Sequence, residues 1–109
     1  MAKVFGIHHL ELQPGIKAED FEQFVAEEVY PATAHQNLTL SVLKGERGER
    51  VGKYLLTFEF ESVAARDQYW PASGEPSEAG QSLAGQWFEK FGTFVTAVGN
   101  FTDYVVVGK

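Results

Sequence analysis

Lys53-Tyr54-Leu55-Leu56-Thr57-Phe58-Glu59-Phe60-Glu61 (KYLLTFEFE, 53–61) alternates in character, and its two halves have different needs. Side chains on a strand point to opposite faces in turn, so Tyr54, Leu56, Phe58 and Phe60 share one apolar face. Leu55, Thr57, Glu59 and Glu61 share the other, a mixed surface. A sheet built on this strand needs helices over its first face and leaves the second undecided. Upstream, Lys3–Leu12 (KVFGIHHLEL) reads as a strand with faces Val4/Gly6/His8/Leu10/Leu12 and Phe5/Ile7/His9/Glu11. Pro14-Gly15 turns the chain out of it. Leu38–Leu43 (LTLSVL) is a second strand, and Phe101–Val107 (FTDYVVV) a last one, with Phe101/Asp103/Val105/Val107 against Thr102/Tyr104/Val106.

Helical spacing fills the gaps. From Ala18 to about Tyr30, Phe21, Phe24, Val25 and Val29 form an apolar stripe, and Glu19, Asp20 and Glu22 sit in the first turn, where the helix dipole favours negative charge. Pro31 stops or kinks this helix, and 32–37 make an irregular exit. Ser62 is an N-cap for a short helix through Tyr69, ended by Pro71. After a loop at 72–76, Ser77 caps a longer helix whose stripe is Leu83, Trp87, Phe91 and Phe94/Val95, with Gly99 as its C′ residue. The order is strand–helix–strand–strand–helix–strand. Two right-handed crossings of this kind put both helices on the same face of the sheet. The expected class is α+β, a ferredoxin-like βαββαβ split sheet, with residues 1–109 as one domain.

The face left bare carries Phe5, Ile7, Leu43, Leu55 and Val106. A solvated face does not carry that set together, and an apolar patch of this size asks for a partner. A second copy, sheet against sheet about a twofold axis, is the economical one. Here the chain resembles the dimeric α+β barrel superfamily. The resemblance spans essentially the whole chain and is strongest over IHHLELQPG with the acidic amphipathic helix after it, and over YLLTFEFESVAARDQYW. It implies a homodimer with a shared barrel interior, in a superfamily that includes small antibiotic-biosynthesis-monooxygenase-like enzymes, muconolactone-isomerase-like enzymes, stress-responsive barrels and haem degraders. The Asn–Trp–His set of haem degraders is not matched: Trp70 stands in a suitable region, but no histidine follows it.

Composition sets the bounds. At 109 residues, 44% apolar and 22% charged, this is the make-up of a folded domain with an ordinary core. A net charge of −6 and no Lys/Arg stripe argue against nucleic acid and anionic membrane as partners. The absence of cysteine removes disulfides, zinc–thiolate centres and cysteine nucleophiles. No apolar run approaches a membrane span, so a cytoplasmic location is the default expectation. The loop Lys44–Gly52 has three glycines but lacks the Gly-Lys-Ser/Thr ending of a phosphate loop and leads into a strand, so it is a solvated hairpin.

The candidate chemistry centres on histidine. His9 shares a face with Glu11, and Glu59 lies on the strand expected beside it. An imidazole with a carboxylate partner holds a proton near neutral pH, the requirement for enolising a substrate or accepting a phenolic proton. The competing assignment for His9 is an interface histidine with an ordinary ion pair. His8 points the other way, on the side assigned to the helices, as a core histidine or a ligand contact, and the two histidines exchange roles if the faces of the strand are reversed. His35, in Ala32-Thr33-Ala34-His35, is a loop histidine that could cap the barrel mouth. Tyr54, Tyr69 and Trp70 are candidates to stack on or hydrogen-bond a planar ligand, with Tyr69-Trp70 at a pocket rim, and Trp87 is packing. Adjacent histidines on a strand diverge, so no metal site is expected. No GxSxG, HExxH or GxGxxG occurs. Two functions remain: a cofactor-independent monooxygenase or isomerase that moves a proton through His9 on an apolar or aromatic substrate, and a non-catalytic ligand-binding or stress-related barrel. Haem binding through one histidine is a third.

Overall fold

The computed structural model describes residues 2–34, 36–71, 75–85 and 87–108. It is a mixed α+β structure with one five-stranded antiparallel sheet. The strands are β1 (Val4–Leu12), β2 (Thr39–Lys44), β3 (Tyr54–Phe60), β4 (Val95–Ala97) and β5 (Thr102–Val105). Their order is β2-β3-β1-β4, with β5 also paired to β1. Strands β4 and β5 lie end to end along the same side of β1, opposite Leu10–Leu12 and Val4–Ile7 respectively. From Leu10 back to Ile7 is three steps on β1, whereas Ala97 to Thr102 is five on the facing strand. Two extra residues therefore bulge out and split the last strand, and Gly99, at φ +77°, turns within that bulge. Gly99 is not the end of a helix, as the sequence had suggested.

The first helix is continuous from α1 (Ala18–Phe24) through a π-helical turn (Val25–Val29) into α2 (Tyr30–Thr33). Pro31 lies inside it, one turn before its end. The Tyr30 N–H donates to the Val25 carbonyl, five residues back. That wider turn gives room to a proline ring that clashes with the preceding turn of a regular α-helix. Downstream come α3 (Val63–Asp67), α4 (Glu78–Ala84) and α5 (Trp87–Phe94). Ser62 and Ser77 accept from the amides of Ala65 (3.1 Å) and Gly80 (3.2 Å), the caps read from the sequence. The single long helix expected after Ser77 is instead two. Gly85 adopts φ +50°, a backbone conformation closed to most side chains, and breaks it. Val95, the last member of the expected helical stripe, is buried, but as the first residue of β4.

One hydrophobic cluster holds the molecule together. Val4 and Leu10 of β1, Leu40 of β2 and Tyr54, Leu56, Phe58 and Phe60 of β3 meet Phe21, Phe24, Val25 and Val29 of the first helix. Leu83, Trp87 and Phe91 complete it from the later helices. Phe21 is the hub, edge-on to Tyr54 (4.9 Å) and to Phe91 (5.7 Å), and Phe24 stacks on Phe94 (4.7 Å). Trp87 packs as expected, its indole N–H donating to the Leu83 carbonyl at 2.8 Å. Burying side chains of this size contributes about 1.5–3 kcal/mol each. Every helix that contributes to the cluster meets the same face of the sheet. No described helix is long and apolar enough to cross a membrane.

Candidate functional site

The uncovered face of the sheet is where the candidate proton-transfer residues lie. Pairing puts Phe5, Ile7 and His9 of β1 opposite Glu59, Thr57 and Leu55 of β3, and those opposite Thr39, Ser41 and Leu43 of β2. Thr102 and Tyr104 of β5 extend the face beyond Ile7 and Phe5. It mixes apolar and polar side chains: Phe5, Ile7 and Leu55 are half-buried and Leu43 is 50% exposed, while Thr57 and Ser41 continue the row across from Ile7. Charged pairs close the two ends. Lys3 reaches Glu59 at 3.0 Å, and Lys53 reaches Glu11 at 2.8 Å. These contacts hold the Glu11 carboxyl below, and the Lys3 ammonium above, their ordinary ranges.

His9 sits between those ends. Its backbone carbonyl accepts from the Val98 amide at 2.8 Å, and its imidazole makes no hydrogen bond to another described residue. Leu55 lies directly across and Ile7 and Glu11 two residues to either side. The three residues expected to act together are thus only partly assembled. Glu11 is a neighbour of His9, but its carboxylate is turned to Lys53. Glu59 is on the adjacent strand, as expected, yet faces Phe5, four residues and roughly 13 Å along β1 from His9. Strand alternation assigned the face correctly and could not assign the register.

His8 occupies the helix side of β1. Its ring stacks on Phe101 (5.3 Å) and stands edge-on to Phe58 (5.7 Å), which in turn meets Trp70 (5.6 Å). Asp103, on β5 opposite Gly6, faces the same side and is tied to Arg66 at the end of α3. Desolvation by the rings pushes the His8 imidazole below its ordinary value, and the charge of Asp103 opposes that shift. Sequence reading did not single out Asp103, Arg66 or Phe101. The available signal was a carboxylate on the otherwise apolar Phe101/Val105/Val107 face of the last strand.

Two of the aromatic candidates, Tyr54 and Tyr69, are core residues. Tyr54 is 1% exposed beneath the first helix, and its hydroxyl donates to Glu22 at 2.6 Å. Lys44 reaches the same carboxylate oxygen at 3.0 Å. Burial and that carboxylate push the Tyr54 phenol far above its ordinary value, and the two donors hold Glu22 below its own. Tyr54 is thus closed to a ligand because its ring fills the core and its hydroxyl is engaged. Tyr69 is 4% exposed, with its oxygen accepting from the Asn37 amide at 3.1 Å. Trp70 is half-buried on Phe58 and Phe60 and keeps some free surface. His35 lies outside the described residues, as do residues 72–74 of the loop beyond Trp70.

Two open depressions among the described residues do not gather these groups. One, about 470 Å³, is lined by polar residues that include Gln36, Glu59, Glu61 and Gln68. The other, about 330 Å³, lies between Glu11 and Val51–Lys53. No histidine or tryptophan lines either. Among the described residues no three His, Asp or Glu side chains converge as a metal site. No protein-family model matches the chain, and no curated protein matches it.

Proposed function

We propose that this protein is a ferredoxin-like module that pairs, outer sheet face to outer sheet face, with a second copy of itself to form a dimeric α+β barrel, and that the shared interior holds an apolar or aromatic small molecule next to His9. One observation carries this: the helices that build the core meet one face of the sheet, leaving Phe5, Ile7, Leu43, Leu55 and His9 on the other with no described helix over them. The strand order β2-β3-β1-β4 with antiparallel neighbours supports the ferredoxin-like assignment. Buried apolar surface drives association, and the Lys3–Glu59 and Lys53–Glu11 pairs form a polar rim.

In this arrangement His9 is the group that moves a proton. Covering the face removes water from around the His9 imidazole, which makes no hydrogen bond to another described residue, and leaves its ring facing the ligand as the candidate proton acceptor. It takes a proton from an acidic C–H or O–H of the substrate. Returning that proton elsewhere is isomerisation, and reaction of the carbanion with oxygen is oxygenation without a cofactor. Glu11 is the carboxylate close enough along the strand to balance the imidazolium. Glu59 serves the far rim.

A second assignment has its own support. Both carboxylates expected to assist His9, Glu11 and Glu59, are paired with lysines, as suits a binding or stress-related barrel that stores a ligand without transforming it. Binding of the dye 8-anilinonaphthalene-1-sulfonate and turnover of whatever ligand copurifies separate the two. Catalysis predicts that His9→Ala keeps dye binding and the dimer but loses turnover. Retained turnover removes His9 from the role, and ligand retained unchanged over long incubation favours storage.

A further inference from the structure

Leu38-Thr39-Leu40-Ser41-Val42-Leu43 (LTLSVL, 38–43) has the composition that most readily joins other strands: aliphatic and β-branched, with no charge, proline or glycine. It supplies most of β2, the outermost strand of the sheet, which pairs with β3 on one side. Gly45 donates to the Lys53 carbonyl (2.8 Å), which makes that pair, and every second pair from it, the hydrogen-bonded ones. Leu40 and Val42 therefore turn their backbone N–H and C=O groups away from β3, toward the edge. Such a row of groups is a template for another strand. A lysine at the edge is the usual protection, but Lys44, the lysine of β2, stands at its end and reaches inward to Glu22 at 3.0 Å.

The template is interrupted at its middle. The Tyr30 hydroxyl accepts from the Val42 amide at 3.1 Å and lies 3.4 Å from the Val42 carbonyl as a donor. One side chain thus takes both backbone groups that an added strand needs at Val42. Local structure delivers it there. Tyr30 directly follows the π-helical turn, and its own N–H closes that turn on the Val25 carbonyl. A π-turn holds one residue more than an α-turn, and an α-helix advances about 100° per residue, so the extra residue re-aims the side chains after it by roughly that angle. Tyr30 is 39% exposed and stands outside the core cluster, so the edge contact rather than packing accounts for its position.

We infer that Tyr30 is an edge guard: its hydroxyl, aimed by the π-helical turn, occupies the Val42 backbone and keeps other copies of this chain from adding a strand to β2. The contact lies within one chain and does not depend on the face-to-face pairing proposed above, because hydrogen bonds at the β2 edge run in the plane of the sheet and the apolar face looks out of it. Without the hydroxyl, the Val42 groups of a dispersed chain are met by water, which leaves the fold in place. The same loss frees an unbroken row of backbone groups on an uncharged, strand-forming segment, and such segments pair with their own kind.

Tyr30→Phe tests the guard, because it removes the oxygen and keeps the ring. Tyr54→Phe, which loses a hydroxyl bond in the core, controls for lost stability. Both are incubated beside wild type at equal concentration and neutral pH, with light scattering and thioflavin T fluorescence followed over time. Tyr30→Phe is expected to start with the wild-type circular dichroism spectrum and then to grow into larger, dye-binding species well before wild type or Tyr54→Phe. Its Val42 amide should exchange about three- to tenfold faster than in wild type. Adding Thr39→Lys puts a charge on the same exposed edge and is expected to return Tyr30→Phe to wild-type behaviour. A Tyr30→Phe protein as dispersed as wild type overturns the inference, and so does a Tyr54→Phe protein that associates just as fast. Association that persists with Thr39→Lys places the contact away from β2 and overturns it too. If Tyr30→Phe does not fold, the wild-type protein decides: the Val42 amide is expected to be protected, and exchange at the rate of an unstructured chain overturns the guard.

Discussion

Replacing Tyr54 by Phe removes one oxygen from a three-way contact joining the first helix, β2 and β3. The lost bond is 2.6 Å long and charge-assisted, with Glu22 as acceptor, on a residue 1% exposed. Hydrogen bonds to charged groups contribute about 1.5–3 kcal/mol net. Two features put this one near the bottom of that range. The Glu22 side chain is 47% exposed, so solvent screens it, and Lys44 still reaches the same oxygen at 3.0 Å. The expected loss is about 1.5 kcal/mol at pH 7, or about 6 °C in Tm for a chain of this length. Its pH dependence is the sharper test. The donors hold the folded-state pKa of Glu22 below the 4.5 of a free glutamate, so the contact stabilises fully above that value and its contribution fades as pH falls through the lower folded value. Urea unfolding of wild type and Tyr54→Phe at one fixed protein concentration, from pH 7 to pH 3, should show a gap that is widest at neutral pH and shrinks in acid. A gap that stays constant down to pH 3, or a variant as stable as wild type at pH 7, refutes the contact.

Three more outcomes follow from particular contacts. Desolvation by Phe58 and Phe101 holds His8 below its ordinary 6.5, so the unfolded chain binds that proton more readily and stability falls as pH drops from 6.5 toward the lower folded value. His8→Phe keeps the ring stack and should reduce the loss measured by urea midpoints between pH 7.5 and 5.5; an unchanged pH slope contradicts the assigned burial. Gly45→Ala should destabilise by roughly 2 kcal/mol or more, because its Cβ would run into the Arg50 carbonyl oxygen and that backbone must move. Equal thermal midpoints for Gly45→Ala and wild type would show that the 45–53 loop is not closed as described. Leu55→Glu should leave the unfolding free energy of the isolated chain within about 0.5 kcal/mol, since Leu55 lies outside the core cluster. A loss of several kcal/mol in dilute solution would place that residue inside.

The strands were legible because a period of two is unambiguous when one face is as apolar as Tyr54/Leu56/Phe58/Phe60. Those four, with Val4 and Leu10, are buried where alternation placed them. The same rule put His8 on the helix side and His9 opposite. Alternation says nothing of register, however, and β1 and β3 are separated by a helix and a strand, with no turn between them to fix their pairing, so that Glu59 faces Phe5 rather than His9 was not legible. The helix break at Gly85 was hidden by coincidence. Leu83, Trp87, Phe91 and Val95 keep one spacing across a broken helix and into a strand, and all four are buried. Tyr54 and Tyr69 look like ligand contacts in sequence because their polar partners, Glu22 and the Asn37 amide, come from distant segments. Pro31 marks a helix end by propensity, but the π-helical turn before it lets the chain continue and deliver Tyr30 to the β2 edge.

Native mass spectrometry on gently purified protein at micromolar concentration bears most directly on the shared interior around His9. A species of twice the chain mass is expected, with added mass if a ligand is retained, and it should revert to the single chain in Leu55→Glu. A wild-type protein that flies only as the single chain would contradict the account, because Phe5, Ile7, Leu43 and Leu55 would then face water and His9 would have no enclosed site in which to work.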